Sequence, residues 1–383
     1  MEPKKTAREQ HIAVFGESGS GKTVLVSSFY GSALEPAFAD TSFFNIVADD
    51  VADGRRLHQN YLGMKNSSTL PLSTRATTSY AFSIKRRPGA DAAAKKPAED
   101  LRLVWHDYPG EWFESEPESP TEGQRRLATF RALLGSDVAV VLVDAQRLID
   151  NAGEEERYLK ALLSGFKTNL VRLHEELLPD RKPLVQFPRI WLIALSKADL
   201  LPDMDVDGFR DLMTEKAAAE MSALGKEIST FVEAPEALSV GEDFLLLSSA
   251  KFEPGKIEVS KRTGLDLILP IAAMLPFARH LTWAKRLKDG GRVAKQLLDR
   301  AGPLLLLFNG KVKFPGPIGV VAALVLPKAS EALAKLAGTQ LQAFHDRAVA
   351  RHDFLTAVLT QFQLDLERGE KKKVLIRSIR SSG

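Results

Sequence analysis

Residues 16 to 23 read GESGSGKT, an instance of G-x-x-x-x-G-K-[ST] set between the apolar run His11–Phe15 and the helix-like TVLVSSFY. An eight-residue pattern of this kind, entered from a strand and left through a helix, restricts the chain to the phosphate-loop α/β architecture. Gly16, Gly19 and Gly21 let the backbone curl so that several N–H groups, those of Ser18 and Ser20 among them, face one anion. Lys22 then reaches the β- and γ-phosphates, and the Thr23 hydroxyl takes a place on Mg²⁺. The pattern by itself does not separate ATP from GTP.

Three later motifs bear on the base and the metal. LRLVWHDYPGE at 101–111 is a strand-like run ending in Asp107, with Gly110 three residues on. An acidic residue there holds Mg²⁺ through water, and the glycine turns its N–H toward a γ-phosphate. Ser196-Lys197-Ala198-Asp199 follows the apolar run 190–195. The Asp199 carboxylate can accept from N1–H and N2–H₂ of guanine, whereas adenine has no N1–H to offer. Ser249-Ala250-Lys251 ends the run 244–247, where a backbone N–H suits the guanine O6. Asp144, at the end of DVAVVLVDAQ, is the carboxylate that an ATPase reading would use on the metal side; the two base motifs downstream favour GTP.

In this order the four motifs resemble the translation-factor-type (TRAFAC) class of P-loop GTPases. DYPGEW at 107–112 is similar to switch II of the bacterial YcjX-type GTPases and related large bacterial TRAFAC proteins. The resemblance spans residues 10 to 288. It implies GTP or GDP and Mg²⁺ as ligands, with phosphate binding on Gly16, Gly19, Gly21 and Lys22. The metal falls to Thr23 and Asp107, the γ-phosphate sensor is Gly110, and the base is held by Lys197, Asp199 and Ala250. The chain departs from the pattern twice: Ser196 stands where the family usually has asparagine, and Glu111 follows Gly110 where Ras-like members carry the glutamine that orients water. A switch threonine is expected at Thr74, with Thr77 and Thr78 as alternatives. Arg75 beside them is a candidate arginine finger in cis, its plain alternative being a solvated surface arginine.

With 44% apolar and 26% charged residues, a net charge of +3 and no cysteine, the composition is globular and excludes disulfides, thiolate metal sites and a cysteine nucleophile. The charged start MEPKKTAREQ does not read as a secretory signal, and no stretch reaches the ~18 apolar residues of a membrane span. A cytoplasmic location is the expectation.

Strands are predicted at 11–15, 79–86, 101–106, 137–143, 189–195 and 243–248, the second and third joined as a hairpin through the polar stretch 86–100. Helical spacing of Leu159, Leu162, Leu163, Phe166, Leu170 and Leu177 predicts an amphipathic core helix. A long interval before the strand leading to Asp107 implies an insertion near 30–75. RTGLDLILPIAAML reads as the closing helix, bent near Pro270 and Pro276.

The expected fold is thus an α/β P-loop domain over 1–288, a mostly parallel sheet with one antiparallel strand, followed by a mainly helical extension over 289–383. The extension carries apolar pieces at 303–308 and 317–326, a helix from about 328 to 366, and basic residues Lys371, Lys372, Lys373, Arg377 and Arg380. It is expected to pack on the domain or on a protein partner, shallow membrane contact being the alternative and nucleic acid having no reading motif. Function divides between a slow Mg²⁺-dependent GTP hydrolase acting as a switch, a nucleotide-dependent binding module with negligible turnover, and a P-loop ATPase.

Overall fold

The computed structural model describes residues 8–71, 78–87, 101–113, 117–178, 182–253, 255–286 and 354–378, with isolated positions between 292 and 346. Thr74, Arg75, Thr77, the 88–100 connection, Arg380, the apolar pieces at 303–308 and 317–326 and most of the 328–366 helix lie outside them.

The elements follow as β1 (Arg8–Phe15), α1 (Lys22–Ala33), α2 (Pro36–Thr41), β2 (Phe44–Ala48), α3 (Val51–Ser67), β3 (Thr78–Arg86), β4 (Leu101–Asp107), α4 (Pro120–Leu133), β5 (Val138–Asp144), α5 (Ala145–Asp150), α6 (Glu155–Leu177), β6 (Ile190–Ser196), α7 (Val206–Thr230), β7 (Ser239–Leu246), β8 (Lys251–Glu253), β9 (Lys256–Glu258), α8 (Ile268–Arg286), α9 (Phe354–Lys371) and β10 (Leu375–Ile376). Eight strands form one sheet in the order β10-β7-β6-β5-β1-β4-β3-β2. The run from β7 to β4 is parallel. β3 is antiparallel to β4, as the hairpin expectation required, and the edges add β2 antiparallel to β3 and β10 antiparallel to β7.

Sequence explains which strands lie where. β5 and β6 are buried at every position, because helices cover both faces, and so they read as unbroken apolar runs. β3 alternates instead: Tyr80, Phe82 and Ile84 point into the core while the residues between them do not, the mark of a strand covered on one face. In β1, Ile12 and Val14 join the core layer shared with α1, α8 and α9, whereas Ala13 and Phe15 join the layer shared with α4, α6 and α7. The predicted stripe of α6 is buried throughout.

The 30–75 insertion supplies α2, β2 and α3. α3 starts at Asp50, whose carboxylate accepts from Asp53 N–H at 2.9 Å, an N-cap that also suits the helix dipole. α8 runs as one helix through Pro276; Pro270 sits in its first turn, where a missing N–H costs nothing. α9 packs on α8, and β10 then joins the sheet. No helix among the described residues is long and apolar enough to cross a membrane.

Candidate functional site

Because β1, β4, β6 and β7 run parallel, the loops that leave their C-terminal ends emerge on one edge of the sheet, where ligands of open α/β sheets bind. Those loops carry the four motifs. The phosphate loop leaves Phe15 and enters α1 at Lys22, with Gly19 at φ 78° and Gly21 at φ 92°. Both lie in the left-handed region, where a side chain is strained. Lys22 is buried, and its ammonium donates to the carbonyls of Gly16 at 2.7 Å and Glu17 at 3.0 Å. A cavity of about 170 Å³ opens over Gly19, Gly21, Lys22 and Thr23, and Ser18 lines it as well. Ser20 is buried beneath the loop. A larger cavity, about 440 Å³, lies between α2, β2 and α9 and touches none of the motif residues, so size does not locate the site.

Asp107 is fully buried, and its Oδ2 accepts from the Thr23 hydroxyl at 3.0 Å. A hydroxyl and a carboxylate held this close form the hard-oxygen pair that suits Mg²⁺. Thr78, the one switch threonine candidate among the described residues, is the cross-strand partner of Asp107. Gly110 packs against the phosphate loop so tightly that a Cβ there would lie 2.4 Å from Ser18 N and 2.5 Å from the Glu17 carbonyl carbon. Only glycine allows that approach.

Tyr108, inside DYPGEW, has a role that the motif did not reveal. Its buried hydroxyl accepts from Gly16 N–H at 2.8 Å, and its ring lies 5.1 Å from the Lys22 ammonium. It therefore staples the end of β4 to the phosphate loop. Arg126 of α4 secures the following turn by donating to the Trp112 carbonyl at 3.3 Å. Glu111 stands exposed on that turn.

At the base end, Lys197 takes a left-handed conformation with φ 53°, and Ala198 N–H donates to the Leu247 carbonyl at 3.1 Å. That bond joins the second motif loop to the third. Asp199 accepts from the Ser248 hydroxyl at 2.6 Å and from Phe252 N–H at 3.0 Å. The hydroxyl belongs to Ser248, one residue before the predicted Ser249; Ser249 is buried beside it, Ala250 is fully buried, and Lys251 begins β8 with an ion pair to Glu253. Two adjacent serines made the sequence ambiguous here. Lys197 Nζ reaches Asp144 Oδ2 at 2.7 Å, which ties the end of β5 to the second motif loop.

The fold and the order of motifs along it make this a P-loop GTP-binding protein. Residues 10–242, more than half of the chain, match the Double-GTPase 2 family, and the chain belongs to that family. No curated protein matches it. Among solved structures it is similar to the signal recognition particle receptor SRβ in the SRβ–GTP/SRX complex of Chaetomium thermophilum, with 18% identity, 64% of this chain and 91% of that chain covered, and a TM-score of 0.32. It is also similar to nucleolar GTP-binding protein 1 of Plasmodium falciparum, with 14% identity, coverage of 80% and 99%, and a TM-score of 0.31. A third is the Ski7 GTPase-like domain of S. cerevisiae bound to GDP and inorganic phosphate, with 15% identity, coverage of 63% and 43%, and a TM-score of 0.27.

Proposed function

We propose that the chain is a Mg²⁺-dependent GTP hydrolase of low intrinsic rate, of the TRAFAC type, that works as a nucleotide-controlled switch toward a protein partner. The observation that carries this reading is the contact of switch II with the phosphate loop: Gly110 lies against Ser18 N while Asp107 meets Thr23. A terminal phosphate entering beside Ser18 has to move or fix Gly110, which couples nucleotide state to the 108–113 turn. Lys22 places its positive charge where phosphoryl charge develops. Bound Mg²⁺ supplies charge neutralisation on the phosphates, and Thr23 and Asp107 are the residues that would hold it. At the base, Asp199 offers a carboxylate that guanine satisfies and adenine does not.

Low rate follows from what stands after Gly110. Glu111 cannot donate to an attacking water as an amide can, so the rate is expected to be no higher than the roughly 10⁻⁴ s⁻¹ of an unassisted Ras-like site. Arg75 remains the proposed cis finger, with Thr74 as the proposed switch threonine. Glu111 also favours the second reading, a binding module whose partner affinity changes with nucleotide but which turns over negligibly. Single-turnover phosphate release from GTP, with Mg²⁺ and with EDTA, separates the two. Mg²⁺-dependent release supports the hydrolase; none supports the module. ATP binding as tightly as GTP in calorimetry would overturn the guanine assignment altogether.

A further inference from the structure

A nucleotide site divided among loops binds tightly only if the loops hold their spacing. In this chain Ser196 leads the base motif, and its hydroxyl donates to the Val143 carbonyl at 3.2 Å, tying β6 to β5. Another route runs from the base motif to the phosphate loop. Lys197 Nζ pairs with the buried Asp144, which also caps α5 by accepting from Gln146 N–H at 2.9 Å. On the same short helix, Arg147 sets Nη1 3.0 Å from Glu17 Oε2 and Nη2 donates to the Ser18 carbonyl at 3.4 Å. The Tyr158 phenol accepts from Asp144 N–H at 3.0 Å. Burial pushes that phenol up, against the lowering effect of the Asp144 backbone hydrogen bond.

Glu17 itself needs explaining. An anionic side chain inside a loop that receives a polyphosphate opposes binding unless a cation compensates it. Arg147 is that cation, and its position depends on the helix that Asp144 caps.

We propose that α5 is a charge bridge between the two halves of the nucleotide site. Asp144 steers Lys197 at the base end, and Arg147 neutralises Glu17 and braces Ser18 at the phosphate end. Asp144 and Arg147 are thus positioning residues for the guanine nucleotide and Glu17 is the charge that Arg147 offsets, an inference that rests on the nucleotide site described above.

Titration of the full chain with fluorescent GDP and GTP analogues tests it, with Lys22→Ala as the control for the site. Arg147→Ala should lower GTP affinity about tenfold and GDP affinity less, because GTP brings one more negative charge toward a Glu17 that has lost Arg147. Adding Glu17→Gln to Arg147→Ala should restore most of the loss, and Arg147→Lys should retain part of the affinity. An arginine with a purely structural role would weaken both nucleotides equally and would not be rescued at Glu17. Unchanged GTP affinity in Arg147→Ala, or a loss that Glu17→Gln leaves in place, overturns the bridge. If Lys22→Ala binds as tightly as the unmodified chain, the nucleotide site itself falls and the bridge with it.

Discussion

Single side chains decide what the site can recognise. Asp199→Asn replaces an acceptor pair with an amide that donates, so GTP affinity should fall about a hundredfold while xanthosine triphosphate gains; competition binding reads both at once. Gly110→Ala tests a different property. Its new Cβ would meet backbone atoms of Glu17 and Ser18, which cannot swing aside as a flexible side chain does, so the 108–113 turn must withdraw from the phosphate loop. Single-turnover hydrolysis should drop at least about tenfold with GDP affinity nearly unchanged. An equal loss of GDP binding would show that Gly110 shapes the pocket rather than sensing its contents. These residues were legible in the sequence because the motif fixes both residue type and spacing. Tyr108, Ser248 and Arg147 were not, since a tyrosine, a second serine and a helix arginine acquire meaning only from what the fold sets beside them.

Among the elements, the junction of β1, β4 and β3 carries a polar chain. Glu9 meets His11 at 2.7 Å, His11 meets His106 at 3.0 Å, and the Ser79 hydroxyl meets His106 at 2.8 Å. Burial, aided by the neighbouring His11 and opposed by Glu9, pushes the His106 imidazole down to about 4 from 6.5. Between those values the unfolded chain binds the extra proton and the folded chain does not, so stability falls as pH drops from 6.5 toward 4. The loss is on the order of 3 kcal/mol. Urea melts across that range should show it, and His106→Gln should flatten the slope; an equal slope in the variant would assign it to other groups. The elements themselves were legible to the degree that burial wrote them into composition. All six strands read from apolar runs are present, and α6 declared itself by its stripe. β2, β8, β9 and β10 escaped notice because each spans five residues or fewer and owes its conformation to a partner strand more than to its own sequence.

At the scale of the whole molecule, the C-terminal segment is part of the nucleotide-binding sheet. Lys373, in a left-handed conformation at φ 55°, accepts from Val206 N–H at 2.9 Å through its carbonyl and pairs with Asp205 at 2.8 Å. It thereby braces the start of α7, the helix that follows the base motif. Val374 accepts from Leu246 N–H at 2.9 Å, immediately before the loop that bears Ser248 and Ala250. Two basic residues here are thus engaged on the protein itself, Lys373 with Asp205 and Arg377 with Glu370. One buried ion pair locks the arrangement. Arg279 of α8 grips Asp243 of β7 with both nitrogens, at 2.7 and 2.5 Å, and also donates to the Ser378 carbonyl at 3.2 Å. Asp243 is fully buried, and burial pushes its carboxyl up against the opposing pull of Arg279. Arg279→Ala would leave that carboxylate unpaired in the interior and should cost about 3–5 kcal/mol in urea unfolding at neutral pH. Asp243→Asn in the same background should recover part of the loss, because an amide carries no charge to strand. Hydrogen exchange gives the mechanism its sharper check: the Leu246 amide should lose protection along with Val206, since both depend on the seated tail. Full protection at Leu246 in Arg279→Ala would mean that β10 holds its edge without the ion pair, and the clasp would then lie in α9 packing on α8.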